Sequence, residues 1–246
     1  MISSYDEAIE KIFTTETMND YSLEKVRQAY ELLGRPLDGI QVIHIAGTNG
    51  KGSVAHMTFA ILQEAGISVG VFTSPHLVDI RERFETDTGL ISESKFVQYT
   101  NQILSIPFSL SYFEKCTLIA MLLFANRGVE YAILEVGMGG RLDATNICTP
   151  TITAITSIGL DHQDILGDTI EQISYEKAGI IKPGIPIIIN HYNPTIESIA
   201  SERDAPLIYT DRECETNLRG PHQYHNAGIA YEIAHYLGID DETIHT

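Results

Sequence analysis

Short apolar runs alternate with longer segments of helical periodicity along most of the chain. The runs begin near Ile40 and have the length of buried strands, recurring at 67–72, 131–134, 152–156, 185–189 and 206–209. Between them, apolar residues recur every three or four positions, which predicts helices over 54–62, 92–104, 112–126, 169–178 and 195–201, and a last helix that runs to about Leu237. Strands that alternate with helices predict an α/β fold with a doubly wound, mostly parallel sheet.

The two ends of the chain depart from this alternation. Within residues 1–39, apolar side chains recur at helical spacing. This pattern ends at Gly34-Arg35-Pro36, which predicts an N-terminal helical cover. The α/β core is expected over 40–246, and both parts are expected to form a single domain because no Gly/Ser linker separates them. The last residues, 240–246, are expected to be a frayed tail.

A glycine-rich loop follows the first predicted strand. It consists of Gly47, Thr48, Asn49, Gly50, Lys51, Gly52 and Ser53. Glycines let successive backbone N–H groups turn inward, the following helix adds its partial positive charge, and Lys51 supplies a full charge for outer phosphates. This layout predicts a P-loop for a nucleotide triphosphate, and the competing interpretation is a plain strand-to-helix turn. Because Gly52 separates Lys51 from the next hydroxyl, Ser53 need not meet magnesium as the usual P-loop hydroxyl does.

Polar side chains follow three predicted strands at the points where the strands end. Ser74 lies in a loop at 73–84 that also carries a histidine and two arginines, Glu135 ends the strand at 131–134, and His162 follows the strand at 152–156. Since parallel strands present their carboxyl ends at one edge, we expect these three residues at a single rim. A strand-end carboxylate near a P-loop is the usual protein ligand of nucleotide-bound magnesium, which predicts that role for Glu135. The alternatives are a solvated loop, a surface glutamate and a structural histidine.

Composition limits the partners of the chain. Its 246 residues include 16 basic and 33 acidic side chains, for a formal charge of −17. That charge argues against general binding to nucleic acid or to anionic membranes, so a polyanionic ligand needs a local positive site. There is no signal-peptide pattern and no apolar run of about 18 residues. Cys116, Cys148 and Cys214 lack CxxC spacing, so we expect reduced thiols and a cytoplasmic protein.

Several motifs occur together in a characteristic order. They are His44 to Ser53, Thr73 to Leu77 with Arg81-Glu82-Arg83, Glu135 to Asn146, Leu160 to His162, Glu176 to Ile180, and His222-Gln223 with Asn226-Ala227. This set resembles the folylpolyglutamate synthase and dihydrofolate synthase family, within the Mur-ligase group of ATP-dependent amide-forming ligases. The resemblance covers nearly the whole chain, and Gly52 fits the folate branch better than the peptidoglycan branch.

The resemblance implies an ATP- and Mg²⁺-dependent ligase that adds L-glutamate to a reduced folate through an acyl phosphate, with dihydropteroate as a further acceptor. It implies a Mur-ligase-like central, ATP-binding domain and a monomer. Lys51, Lys177 and His162 resemble catalytic residues of the family. The family's magnesium ligands are matched by Ser74, Glu135, His162 and a carbamylated Lys177.

The same resemblance assigns nucleotide contacts to the start of the last helix. Asn226, with His222 and Gln223, resembles the residues that contact the nucleotide in the family. From the residues alone, Lys177 would be only a lysine in the last turn of a helix, where the helix dipole favours it.

The resemblance implies a C-terminal domain of roughly 150 residues, and we expect the given sequence not to include it. We therefore expect the chain to supply the ATP-binding part and to ligate poorly by itself. Two alternatives stay open: a Mur-type ligase acting on a peptidoglycan precursor, and a nucleotide-binding module without turnover.

Overall fold

The computed structural model describes residues 2–14 and 22–245 of the chain. Within these residues one sheet has the strand order β4-β3-β2-β5-β1-β6-β7-β8. The strands are β1 (Gln41–Ala46), β2 (Val69–Phe72), β3 (Phe84–Thr86), β4 (Gly89–Leu90), β5 (Tyr131–Glu135), β6 (Ile152–Ile155), β7 (Ile187–Ile189) and β8 (Leu207–Tyr209). All pairings are parallel except those of β3 with β2 and β4. The predicted mostly parallel sheet is confirmed, and the antiparallel hairpin β3-β4 was not predicted.

Helices connect the strands, and the six helices predicted after residue 50 all lie close to their predicted positions, whereas the short helices at Gln163–Leu166 and Asp241–Ile244 were not predicted. The helices are α1 (Tyr5–Phe13), α2 (Glu24–Leu32), α3 (Lys51–Glu64), α4 (Glu93–Leu104), α5 (Tyr112–Arg127), α6 (Gln163–Leu166), α7 (Ile170–Ala178), α8 (Pro194–Glu202), α9 (His222–Tyr236) and α10 (Asp241–Ile244). Two short 3-10 helices lie at Ile80–Arg83 and Ala144–Ile147. Capping boxes begin α5 at Ser111 and α7 at Thr169, which fixes where these helices start.

Both faces of the sheet are buried. In β1, Val42 packs in the core that contains α1, α2, α4 and α5, whereas Ile43 and Ile45 pack with α3 and α9. Ala46 joins a third cluster with α7 and α8. This two-residue alternation places helices on both faces of the sheet, which is the doubly wound arrangement. Because β1, β2, β5 and β6 run parallel, the loops that follow them lie at one edge.

The N-terminal helices α1 and α2 lie outside the helical layer of one face. Helix α1 packs mainly on α4 and α5, and α2 packs on α5 and on the 3-10 helix at Ala144–Ile147. Residues 15–21 of the predicted helical segment lie outside the described residues. The division into a cover at 1–39 and a core at 40–246 stays a prediction.

The frayed tail predicted at 240–246 is wrong for residues 240–245. The Asp240 side chain accepts from Thr243 N at 2.9 Å and caps α10, and the Tyr231 hydroxyl donates to Asp241 Oδ1 at 2.6 Å. Residue 246 lies outside the described residues. No described helix has the length and apolar character needed to span a bilayer.

Candidate active site

The P-loop (Gly47–Ser53) joins β1 to α3. Gly47 and Gly50 adopt φ angles of 147° and 88°. A Cβ on Gly47 would overlap Thr156 Oγ1, and one on Gly50 would overlap Asn226 Oδ1, so both positions require glycine. Helix α3 begins at Lys51, three residues before the predicted start, which places Ser53 in its first turn. The N–H groups of that turn have no acceptor within the helix and are suited to bind an anion.

Two P-loop residues hold the loop against the segment that leaves β6. Thr48 N donates to Ser157 O at 2.7 Å, and Asn49 N donates to Ser157 Oγ at 3.1 Å. The Thr48 hydroxyl also donates to Gly159 O at 3.2 Å. Thr48 and Asn49 therefore fix the shape of the loop, and the N–H groups at the start of α3 remain for phosphate.

Two lysines converge on one carbonyl oxygen of the P-loop. Lys51 Nζ donates to Gly47 O at 3.1 Å and to Thr48 O at 3.2 Å, and Lys177 Nζ donates to Gly47 O at 2.9 Å. Lys177 is only 3% exposed. Burial, with a contribution from Lys51, lowers the pKa of Lys177 to about 8. The structure thus places beside the P-loop a lysine to which residue patterns alone assigned no function.

Glu135 is a buried carboxylate at the end of β5. It is 3% exposed and accepts a hydrogen bond from Ser74 N at 2.9 Å. Burial raises its pKa to about 7, although the Ser74 hydrogen bond, Lys51 and Arg83 oppose that rise. Its two oxygens lie 3.6 and 3.7 Å from the position that a Cβ on Gly52 would take, so the carboxylate lies directly beside the P-loop.

Three of the predicted site residues line one cavity. Lys51, Ser74 and His162 border a space of about 530 Å³ at the edge where β1, β2 and β6 end. His162 is exposed and begins α6 in the left-handed conformation, with φ 48°. The expected common rim is therefore present: Ser74 contacts Glu135, and Ser74, His162 and Lys51 share the cavity.

The sequence patterns predicted no role for the other residues of the cavity wall. Its apolar side consists of Leu23, Tyr112, Phe113, Met138, Leu142 and Ala144, and further polar members include Arg83, Glu114 and Asp143. Arg83, Met138 and Asp143 lie in the motifs at 81–83 and 135–146, which could have identified them as site residues. Tyr112 and Phe113 follow the helix periodicity of α5 and carried no signal of their own.

Asp143 holds the glycine-rich loop after β5 in place. Its Oδ2 accepts from Gly137 N and Met138 N, both at 3.0 Å, and its Oδ1 accepts from the Thr145 hydroxyl at 2.5 Å. The buried His44 ring contacts Thr145 Oγ1 through Nε2 at 2.8 Å. Burial raises the pKa of Asp143, and these donors oppose the rise. The wall of the cavity at Gly137 and Met138 is thus fixed by buried hydrogen bonds.

Helix α9 approaches the P-loop from the other end of the chain. Asn226 is buried next to Gly50, and its Nδ2 donates to Gln223 Oε1 at 2.9 Å. His222 is exposed and lies next to Gly220, outside this contact. Of the three residues expected to contact a nucleotide here, Asn226 reaches the P-loop and Gln223 orients it.

The arrangement suits a hard divalent cation. Glu135 is a buried carboxylate that forms no ion pair within the described residues, and the Ser74 hydroxyl and His162 ring lie on the same rim. No three His, Cys, Asp or Glu side chains in residues 2–14 and 22–245 come together as a metal site. A cation here would therefore need phosphate or water oxygens as well, which is usual for Mg²⁺.

Comparisons with known proteins identify the family and the fold of the chain. Folylpolyglutamate synthase from Arabidopsis thaliana is 41% identical over 218 residues, which cover 79% of this chain and 38% of that protein. Dihydrofolate synthase/folylpolyglutamate synthase from Bacillus subtilis is 36% identical over 258 residues, 89% of this chain and 60% of that protein. The structure of E. coli FolC in complex with DHPP and ADP superposes with a TM-score of 0.90 at 33% identity, covering 99% of this chain and 65% of that one.

The matches cover most of this chain but a much smaller share of the relatives. The chain spans about two fifths of the length of the Arabidopsis proteins, 38% of one and 43% of a second. The expected Mur-ligase-like fold is confirmed by the superposition. The family model for the Mur ligase middle domain matches residues 45–236, most of this sequence. On that match the chain belongs to the family of Mur ligase middle domains.

Proposed function

We propose that this chain provides the nucleotide- and acceptor-binding part of a folylpolyglutamate synthase. The observation that carries the proposal is a single cavity bordered both by Lys51, Ser74 and His162 and by the apolar side chains of Tyr112, Phe113 and Met138. Such a cavity suits a flat ring system joined to an anionic group. Relatives named folylpolyglutamate synthase, and a FolC structure with DHPP and ADP, support the same acceptor class.

The proposed reaction forms an amide in two steps. A carboxylate oxygen of the folate attacks the γ-phosphorus of ATP, the bond to the bridging oxygen of ADP breaks, and an acyl phosphate results. The amino group of L-glutamate then attacks the acyl carbon, loses a proton and displaces phosphate. Dihydropteroate would react in the same way through its own carboxylate.

The P-loop positions the phosphates in this scheme. The first-turn N–H groups of α3 bind phosphate oxygens, and Lys51 places its charge on the outer phosphates. Lys51 Nζ lies within this loop, where it donates to Gly47 O and Thr48 O. Asn226, oriented by Gln223, contacts the nucleotide from α9, and His222 is proposed as a further contact.

Glu135, the Ser74 hydroxyl and His162 would hold magnesium. The ion supplies positive charge that neutralises the phosphates as the γ-phosphoryl group transfers. Glu135 is suited to this role because burial disfavours its charge, and a cation nearby would restore the ionised form. The hydrogen bond from Ser74 N orients the carboxylate.

Lys177 is proposed to be carbamylated. Its lowered pKa makes the neutral amine accessible near physiological pH, and that amine can attack CO₂ to form a carbamate with loss of a proton. The modification would replace a cation beside Lys51 with an anion able to approach a second metal ion. A catalytic role for Lys177 depends on this change.

Several parts of the proposal concern the whole protein. We propose a cytoplasmic monomer that binds neither nucleic acid nor membrane. Because the chain spans only 38% of one Arabidopsis relative, a nucleotide-binding module without turnover is the second candidate for the isolated chain.

The direct test is phosphate release from Mg-ATP by this chain, with nucleotide binding followed by calorimetry. Tetrahydrofolate, dihydropteroate and L-glutamate are each added and omitted. Release that requires both an acceptor and glutamate supports the ligase. Nucleotide binding without release supports the module, and release that depends on a nucleotide-linked sugar-peptide instead of a folate would replace the proposal with a Mur-type ligase.

A further inference from the structure

Arg83 is a buried cation in the wall of the active-site cavity. It is the last residue of the 3-10 helix Ile80–Arg83 and is 7% exposed. Its Nε donates to His76 Nδ1 at 2.8 Å, and its guanidinium carbon lies 5.5 Å from the centre of the Tyr112 ring. The side chain is thus held from two sides, and it borders the same cavity as Lys51.

No carboxylate neutralises Arg83 in the described part of the chain. Arg83 forms no ion pair there: burial raises the pKa of Glu135 and the charge of Arg83 opposes that rise, but no ion-pair contact joins the two groups. Arg81, two residues earlier, differs: it pairs with Asp79 at 2.7 Å and with Glu93 at 3.7 Å. A buried guanidinium without an anion is costly, which indicates that a ligand supplies the missing charge.

The free edge of Arg83 has the geometry of a carboxylate site. Because Nε is used by His76, the terminal nitrogens remain for a planar, two-point partner. A phosphate would meet Lys51 and the start of α3, where the P-loop presents its donors. The cavity therefore offers one cationic site for phosphate and a second, next to the Tyr112 ring, for another anion.

We propose that Arg83 binds the carboxylate of the acceptor, the group that attacks ATP, and thereby selects acceptors that carry an acid at this position. The inference rests on the proposed function, since it assigns a partner to the acceptor of that reaction. His76 is a positioning residue here: it holds Nε and turns the fork of Arg83 towards the cavity.

The test compares the binding of two ligands to the unsubstituted chain and to three arginine variants. Calorimetry measures the dissociation constants of dihydropteroate and of its decarboxylated analogue, 6-anilinomethyl-7,8-dihydropterin, with a non-hydrolysable ATP analogue and Mg²⁺ present. We expect the unsubstituted chain to prefer the carboxylate ligand by about 10- to 100-fold, the effect of one charge-assisted pair. Arg83→Met should lose this preference by weakening only the carboxylate ligand.

Arg81→Met is the matched control. It removes an arginine from the same motif, but one that already has carboxylate partners, so the preference for dihydropteroate should remain. Arg83→Lys keeps the charge without the two-point fork, and an intermediate preference is expected. Thermal unfolding and the affinity for the ATP analogue check that Arg83→Met still folds and binds nucleotide.

The outcomes separate the inference from the proposed function. If the unsubstituted chain binds neither pteridine, the acceptor class is wrong and the role of Arg83 is rejected with it. If it binds dihydropteroate and Arg83→Met keeps the same preference, the function stands and Arg83 does not bind the carboxylate. Equal weakening of both ligands by Arg83→Met would show a structural effect and also overturn the inference.

Discussion

Glu135 should make the ligand-free protein less stable as pH rises. Burial raises its pKa from 4.5 to about 7 in the folded protein, whereas the unfolded chain keeps the ordinary value. Between these two pH values the folded state binds more protons than the unfolded state, so the free energy of unfolding falls as pH rises. At 1.36 kcal/mol per pKa unit, the loss is about 3 kcal/mol and is complete above pH 7.

The substitution Glu135→Gln should remove this loss. Urea unfolding at pH 5 and pH 8 gives the change in free energy of unfolding for each protein, and comparing each protein with itself cancels any constant cost of burying the amide. We expect the change in the unsubstituted chain to exceed that of Glu135→Gln by about 2 to 3 kcal/mol. Glu130→Gln is the control, since Glu130 is exposed just before the same strand.

The same experiment can refute the reasoning. If Glu135→Gln and the unsubstituted chain lose equal stability between pH 5 and pH 8, the Glu135 carboxyl does not carry the burial penalty. Repeating the series with Mg²⁺ and an ATP analogue tests the metal assignment. A cation beside Glu135 favours its ionised form, so the pH-dependent loss should shrink in the unsubstituted chain but not change in Glu135→Gln.

Three further predictions concern the P-loop and its surroundings. Lys51→Ala should weaken ATP binding by at least about tenfold in calorimetry, because it removes the full positive charge of the loop; unchanged affinity would contradict the placement of the phosphates. Gly50→Ala should abolish nucleotide binding and lower the melting temperature, because its Cβ overlaps Asn226, whereas Gly184→Ala, also at positive φ but in open space, should cost only about 1 kcal/mol. With ¹³C-bicarbonate, a carbamate signal should grow between pH 7 and pH 9 as Lys177 loses its proton, and its persistence in Lys177→Met would assign it to another amine.

Local sequence patterns predicted most of the strands and helices of the fold. The P-loop motif and the strand-end positions of Ser74, Glu135 and His162 follow from periodicity and from the rule that parallel strands share an edge. The hairpin β3-β4 was missed because its strands have three and two residues, too short for an alternating pattern to emerge. The C-terminal helix α10 was missed because a tertiary hydrogen bond from Tyr231 to Asp241 stabilises its four residues.

The roles of buried polar residues depended on contacts that sequence spacing does not reveal. Lys177 meets Gly47, and Asn226 meets Gly50, across long stretches of chain. Arg81 and Arg83 stand in the same short motif, yet only Arg81 has carboxylate partners. Resemblance to a family could assign roles to Lys177 and Asn226. That Arg81 has carboxylate partners and Arg83 has none among the described residues became visible only in the three-dimensional structure.

The contact between Gly50 and Asn226 also sets an order of assembly. Strand β1 lies in the middle of the sheet, but its neighbours β5 and β6 come much later in the chain. Helix α9, which packs on α3, comes later still. During synthesis on the ribosome, the P-loop therefore leaves the exit tunnel long before the residues that shape it. Contacts this distant in sequence form slowly, and the nucleotide site is complete only after α9 has emerged and packed on α3.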